Sequence, residues 1–124
     1  MPKRGFKEML AEANAEIETI SVQDLVYHLD DPDVVLLDVR EIDELEREGI
    51  IPGSLHVSRG LLEFRADPES PAYNSSLKPD GRIILYCGTG GRSALAAKTL
   101  RDMGYTDVAS LAGGYAAWRI YQKR

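Results

Sequence analysis

The chain has 124 residues, 44% hydrophobic and 28% charged, with a formal net charge of −5 and an isoelectric point near 5.0. That length suits one domain with a core of its own, and the composition excludes a disordered chain. No apolar run approaches the roughly 20 residues of a membrane span, and an acidic chain without a basic stretch is not expected to bind nucleic acid.

Residues 5–16 place Phe6, Met9, Leu10, Ala13 and Ile17 on one helical face, with Lys7, Glu8, Glu12 and Glu16 elsewhere. This pattern predicts an N-terminal helical extension, residues 1–17, packed on a domain at 18–124. The stripe is short and its polar face is not strongly basic, which argues against a membrane helix. Glu18-Thr19-Ile20 reads as a short strand. Ser21 then caps a helix running to about Leu29, with Asp24 accepting from the free amides, and Asp30, Asp31 and Pro32 end it. Val34–Leu37 is a continuous apolar run, as expected of a central strand covered on both faces.

Glu41 to about Glu48 predicts a short acidic helix closed by Gly49. Pro52-Gly53 makes a turn, Leu55–Val57 a short strand, and 59–65 a brief helix. Ala66–Pro79, rich in Pro, Ser, Asp and Asn, reads as a surface loop. A strand at 82–86, a helix at 92–103, a strand at Asp107–Ala109 and a helix from Gly114 to about Tyr121 complete the chain. Strands alternating with helices imply an α/β fold, a mostly parallel sheet flanked by helices on both faces. Ligands of such sheets bind beyond the carboxyl ends of the strands. Two strand ends stand out there, Val39-Arg40 and Tyr86-Cys87; if the strands are neighbours, Asp38 and Arg40 lie close to the segment after Cys87.

One cysteine excludes an internal disulfide and a CxxC redox pair, and two histidines far apart in sequence give no metal-ligand pattern. His28 and His56 read as structural, and Trp118 as core packing. Lys3 and Arg4 resemble the start of a signal peptide, but Lys7, Glu8 and Glu12 interrupt any apolar region that would follow, and the acidic residues disfavour a transit peptide. The expectation is a cytoplasmic protein in a reducing compartment.

The segment with the most chemistry is Cys87-Gly88-Thr89-Gly90-Gly91-Arg92, between the apolar run Ile83–Tyr86 and an alanine-rich helix. A thiol at a strand tip facing a helix N-terminus is favoured as an anion, because the helix end carries partial positive charge and free N–H groups. Free cysteine has a pKa of about 8.5, and such settings bring it to roughly 3.5–7.5. Glycines at 88, 90 and 91 are expected to allow positive φ and to keep side chains off the concave face, so that successive amides form an anion-binding nest. Arg92 adds a permanent cation at its mouth. A cation is disfavoured at a helix N-terminus, which points to a bound anion there. Thr89 is either a tolerated loop residue or a hydroxyl donor to substrate, and Ser93 either caps the helix or ligates the sulfur. With no histidine near in sequence, ionisation of Cys87 rests on field effects rather than on a Cys–His pair.

This loop resembles the active-site loop of the rhodanese family of sulfurtransferases. Leu36–Glu41 (LLDVRE) resembles the family's strand-ending D-V-R-E element, Glu48–Ser54 (EGIIPGS) its G-H-I-P-G-A turn, and Leu111–Trp118 (LAGGYAAW) its closing L-x-G-G-x-x-x-W. Together these cover roughly residues 18–121, in the family's order. Ile50 stands where the family's turn carries histidine, so that residue's role does not carry over.

The resemblance implies a catalytic Cys87, with Gly88, Thr89, Gly90, Gly91, Arg92 and Ser93 binding substrate. Asp38 and Arg40 would support the base of the loop as a structural pair. Arg59, Glu63 and Phe64 resemble the family's variable pocket wall, with a solvated helix face as the alternative for the two charged residues. The implied reaction moves a sulfane sulfur from a small anionic donor such as thiosulfate to cyanide or a thiol through a persulfide on Cys87, with no metal or organic cofactor. Two rivals remain. A sulfur carrier or interaction module with little turnover would pass its sulfur to a protein acceptor. A cysteine-dependent phosphatase or arsenate reductase would use a similar loop, but the related phosphatases place five residues between Cys and Arg where this chain has four, a smaller ring that better suits one sulfur atom.

Overall fold

The apolar runs at Val34–Leu37 and Ile83–Tyr86 become the two middle strands of the molecule and meet side by side. The computed structural model describes residues 2–124. Five strands, β1 (Glu18–Ile20), β2 (Val34–Asp38), β3 (Leu55–His56), β4 (Arg82–Tyr86) and β5 (Asp107–Leu111), form one parallel sheet in the order β1-β5-β4-β2-β3. The helices are α1 (Phe6–Glu16), α2 (Val22–Val26), α3 (Ile42–Glu48), α4 (Leu62–Ala66), α5 (Gly91–Asp102) and α6 (Gly114–Gln122), with a 3-10 turn at Arg59–Leu61 before α4.

Alternation along β4 divides the core in two. Ile83, Leu85 and Cys87 face one layer with Ala94, Ala97 and Leu100 of α5, Leu62 of α4 and Ile17 at the end of α1. Ile84 and Tyr86 face the other, with Leu25 of α2 and Tyr115 and Trp118 of α6. Burial on both sides explains why these strands read as unbroken apolar runs. β2 and β4 pair in register from Val34↔Arg82 to Asp38↔Tyr86, and Asp38 also pairs with His56 of β3. Three strand ends are therefore level. The chain order reverses between β2 and β4, the switch point where open parallel sheets bind ligands.

Most expected elements are present, with local differences. α2 ends at Val26 rather than near Leu29, continuing as turns, although Ser21 caps it as expected by accepting from the Asp24 amide at 3.1 Å. β5 runs on to Leu111, two residues past the expected end, because Ser110 and Leu111 are buried beside β4 and β1. The apolar stripe of α1 is only half used: Ala13 and Ile17 are buried and Leu10 packs on the core, whereas Phe6 is 71% exposed and Met9 also faces out. No described helix is long and apolar enough to cross a membrane.

α6 begins against the segment after β4. The Tyr115 amide donates to the Cys87 carbonyl at 2.7 Å, and the Ala116 amide to the Gly88 carbonyl at 3.0 Å. Only glycine permits this approach at position 114. A Cβ there would lie 2.5 Å from the Cys87 oxygen and 2.8 Å from the Gly88 carbonyl carbon, and φ is +58°. Gly114→Ala is expected to cost about 1–3 kcal/mol from backbone strain alone, before the clash is counted. Thermal unfolding would show a midpoint lowered by several degrees, and an unchanged midpoint would contradict this account of the α6 contact.

Candidate active site

Cys87 follows β4 directly and is held by the turn into α5. Its sulfur accepts from the Gly90 amide at 3.1 Å. Burial leaves the residue 1% exposed and works against ionisation. The Ser93 hydroxyl and amide and the Gly90 and Thr89 amides outweigh it, so the thiol sits below its ordinary pKa. The Ser93 hydroxyl donates to the Gly90 carbonyl at 3.2 Å and lies 2.8 Å from the Ser110 hydroxyl. Its one proton turns to the sulfur only by giving up the Gly90 carbonyl. Ser93 is the third residue of a helix whose N-cap is Gly90, so its hydroxyl is not the cap.

Of the three glycines expected to allow positive φ, one uses that freedom. Gly90 does, at +114°, and a Cβ there would meet nothing closer than 3.6 Å, so conformation and not space requires glycine. Gly88 matters for space, since its Cβ would lie 3.2 Å from Arg92 Nη2, while a Cβ at Gly91 would meet nothing within 4 Å.

Arg92 does not stand as a free cation. Its Nη1 and Nη2 donate to the two carboxylate oxygens of Glu44 at 2.7 and 2.9 Å. Glu44 Oε2 also accepts from the Glu41 amide at 2.8 Å, closing the start of α3. Hydrogen bonds from Arg92 hold the Glu44 carboxyl down to about 2 and raise the Arg92 pKa in return, so the pair stays ionised across the physiological range. Sequence reading gave α3 no site residue; a carboxylate at the third helical position after a strand-end element was the signal for it.

Asp38 and Arg40 do form a buried pair. Arg40 Nη2 and Nε donate to Asp38 at 2.8 and 3.1 Å, and both side chains are fully buried. Burial opposes the charge on Arg40, and the Asp38 carboxylate more than offsets it, so its pKa is raised. The same guanidinium donates to the Gly49 carbonyl at 2.8 Å and lies 4.3 Å from the Tyr115 ring centre and 5.5 Å from that of Tyr86. Tyr86 Oη in turn accepts from the Ile51 amide at 3.2 Å, and burial pushes its phenol up to about 12. The residue immediately before Cys87 is thus tied to the turn after α3, to Arg40 and to Tyr115 of α6. His56 Nε2 meets the Arg40 carbonyl at 2.7 Å, a structural role.

The residues expected as pocket wall lie beside α5. Arg59 pairs with Glu63 at 3.1 Å and donates to Thr99 at 3.0 Å, lining a concavity with Met9, Leu95 and Lys98, and Phe64 is largely exposed. The reason is the position of the 3-10 turn and α4 along the flank of α5, two turns beyond Ser93. The concavities that border the reactive loop are lined instead by Leu10 and Asn14 of α1 on one side, and by Glu44, Arg92, Tyr115 and Arg119 on the other.

Comparison with known proteins gives this geometry its context. Residues 21–121 match the rhodanese-like domain family. The chain belongs to that family. A sulfurtransferase of Allochromatium vinosum is 34% identical over 89 residues, 72% of this chain and 75% of that protein. The thiosulfate sulfurtransferase GlpE of Coxiella burnetii is 33% identical over 92 residues, with the same shares covered. The chain spans 56% of a Bacillus subtilis relative, 32% identical, whose name marks it as a candidate sulfur carrier. A solved Rhodopseudomonas palustris structure superposes with a TM-score of 0.93 at 45% identity, covering 98% of this chain and 94% of that one; its description gives an unknown function and a candidate tyrosine phosphatase. The human single-domain sulfurtransferase TSTD1 superposes with a TM-score of 0.72 at 28% identity, covering 86% and 96%. The rhodanese-like match begins at Ser21, so α1 and β1 lie outside it although β1 completes the sheet.

Ser93→Ala is expected to raise the Cys87 pKa, because a hydrogen bond that favours the thiolate is lost. The pH profile of alkylation by iodoacetamide would move upward; an unmoved profile would remove Ser93 from the thiolate site.

Proposed function

We propose that this rhodanese-like protein is a sulfurtransferase in which Cys87 carries a persulfide. The Cys87 thiolate attacks the outer sulfur of thiosulfate; the S–S bond to the sulfonate breaks with its electron pair on the leaving group, releasing sulfite. The enzyme then holds a Cys87 persulfide. Cyanide or a thiol attacks the terminal sulfur, takes it as thiocyanate or a new persulfide, and returns Cys87 to the thiolate. Two easier displacements replace one hard transfer, which gives ping-pong kinetics. Loop amides from Gly88 to Arg92 stabilise the anionic terminal sulfur as an oxyanion hole stabilises oxygen.

The observation that supports this reading best is the Gly90 amide 3.1 Å from the sulfur, with Thr89 and Ser93 donors favouring its anion. Asp38 and Arg40 act through Tyr86, fixing the base of the loop. Transfer with a lone cysteine needs no disulfide partner, which suits the reducing cytoplasm. The phosphatase reading, suggested by the description of the Rhodopseudomonas structure, is disfavoured by four residues between Cys87 and Arg92 and by an Arg92 already engaged with Glu44. The carrier reading keeps the persulfide and draws on the Bacillus relative's name and on a thiol 1% exposed, a setting that protects a bound sulfur.

Intact mass after incubation with thiosulfate tests the persulfide: the expected gain is about 32 Da, the mass of one sulfur, absent in Cys87→Ser. Cyanide should then strip it with continuous thiocyanate release. A persulfide stripped only by a protein acceptor would select the carrier reading, and hydrolysis of an aryl phosphate with no mass gain would select the phosphatase.

A further inference from the structure

Two buried hydroxyls lie beside Cys87, Ser93 of α5 and Ser110 of β5, 0% and 3% exposed. β5 pairs with β4 so that Ser110 stands level with Leu85. Paired residues of a sheet share a face, so Ser110 points, like Leu85 and Cys87, toward the layer that α5 covers. Its Oγ lies 2.8 Å from that of Ser93 and has no other hydrogen-bond partner among the described residues. Ser93 has one proton, which the Gly90 carbonyl accepts at 3.2 Å. The proton between the two serines is therefore that of Ser110, whether the Ser93 proton goes to the carbonyl or to the sulfur.

A donor at Ser110 fixes the Ser93 oxygen and leaves its proton two acceptors, the Gly90 carbonyl and the Cys87 sulfur. Turning to the sulfur leaves the carbonyl paired, because the Ala94 amide also donates to it at 3.1 Å. We propose that Ser110 is a positioning residue for sulfur transfer. It holds the Ser93 hydroxyl so that the proton rests on the Gly90 carbonyl while Cys87 carries a persulfide and swings to the sulfur as the thiolate forms. The assignment rests on the sulfur-transfer reading and adds a residue to it. When an acceptor attacks the terminal sulfur, the S–S bond breaks with its electron pair on Cys87 Sγ. Charge appears where the Ser93 proton can meet it, which makes Cys87 a better leaving group. The charged groups around the loop are engaged elsewhere: Asp38–Arg40, Glu44–Arg92 and Arg59–Glu63 are pairs, and His56 meets the Arg40 carbonyl. Glu48 and Arg119 lie on the α6 side, where the loop carbonyls point, and the α1 side of the loop is lined by uncharged residues.

Cys87 is the only cysteine, so alkylation by iodoacetamide reports it alone. The midpoint of the alkylation pH profile should rise in Ser110→Ala, by less than in Ser93→Ala. It should return in Ser110→Thr, which keeps the hydroxyl; Ser110 borders a concavity of about 240 Å³ that accommodates the extra methyl. Turnover is then compared at one pH above every midpoint. Ser110→Ala should lower kcat/KM for cyanide roughly twofold and Ser93→Ala about fivefold, the scale of a neutral and of a charge-assisted hydrogen bond expressed in part on the leaving group. kcat/KM for thiosulfate should hold or rise, since a more basic thiolate is the better nucleophile. The double variant should match Ser93→Ala, because Ser110 acts only through Ser93. Additive losses, an unmoved midpoint in Ser110→Ala, or an equal rise in Ser110→Thr would each reduce Ser110 to packing and overturn the proposal. Wild-type protein that forms no persulfide, with the midpoints as expected, would sink sulfur transfer and the part of Ser110 in it, while leaving the effect of the two hydroxyls on the thiolate in place.

Discussion

The peptide at Cys87 is held from two directions by helix starts, and the rest of the site depends on that grip. Amides at the start of α5 point at the sulfur, while amides at the start of α6 take the carbonyls of Cys87 and Gly88. The sulfur and the carbonyls of Cys87, Gly88 and Gly90 therefore have partners before any substrate arrives. A loop so constrained stabilises negative charge on sulfur without reorganising during the reaction, which is the condition for electrostatic stabilisation to be effective. Glycine at 90 and at 114 makes the grip possible for different reasons, one by its backbone conformation and the other by the absence of a side chain.

Behind the loop, a buried Arg40 does what a larger hydrophobic core could not. Its guanidinium reaches Asp38, the Gly49 carbonyl and two tyrosine faces at once, tying β2, β4, α3 and α6 to the residue preceding Cys87. Removing one partner of such a pair leaves an unbalanced buried charge, so the cluster can be lost only as a unit. Its placement at the switch point of the sheet means that stability and site geometry share the same residues.

Charge at the site is arranged locally and against the sign of the whole molecule. A chain of net charge −5 would repel thiosulfate at long range, an effect screened beyond about 8–10 Å at physiological salt. Within that range the loop amides decide the field, because Arg92 is offset by Glu44. A motif-level reading credits Arg92 with anion recognition, whereas the structure gives its donors to the start of α3.

Much of the fold was legible in the chain because local rules carried it. Two apolar runs had to be central strands, the Ser21 cap and the Gly49 terminus bounded their helices, and a cysteine between such a strand and an alanine-rich helix had to lie at a strand end facing a helix start. The ends of α2 and β5 were not legible, since tertiary burial and not propensity set them. Sequence by itself determined the family, the parallel α/β architecture and the reactive loop, since each is encoded by residues close together in the chain. Only the tertiary structure decided that Glu44 claims Arg92 and that Arg59 pairs with Glu63 and reaches Thr99. Those facts depend on side chains from distant segments meeting in space, where an ion pair with one neighbour excludes another and no local pattern records the choice.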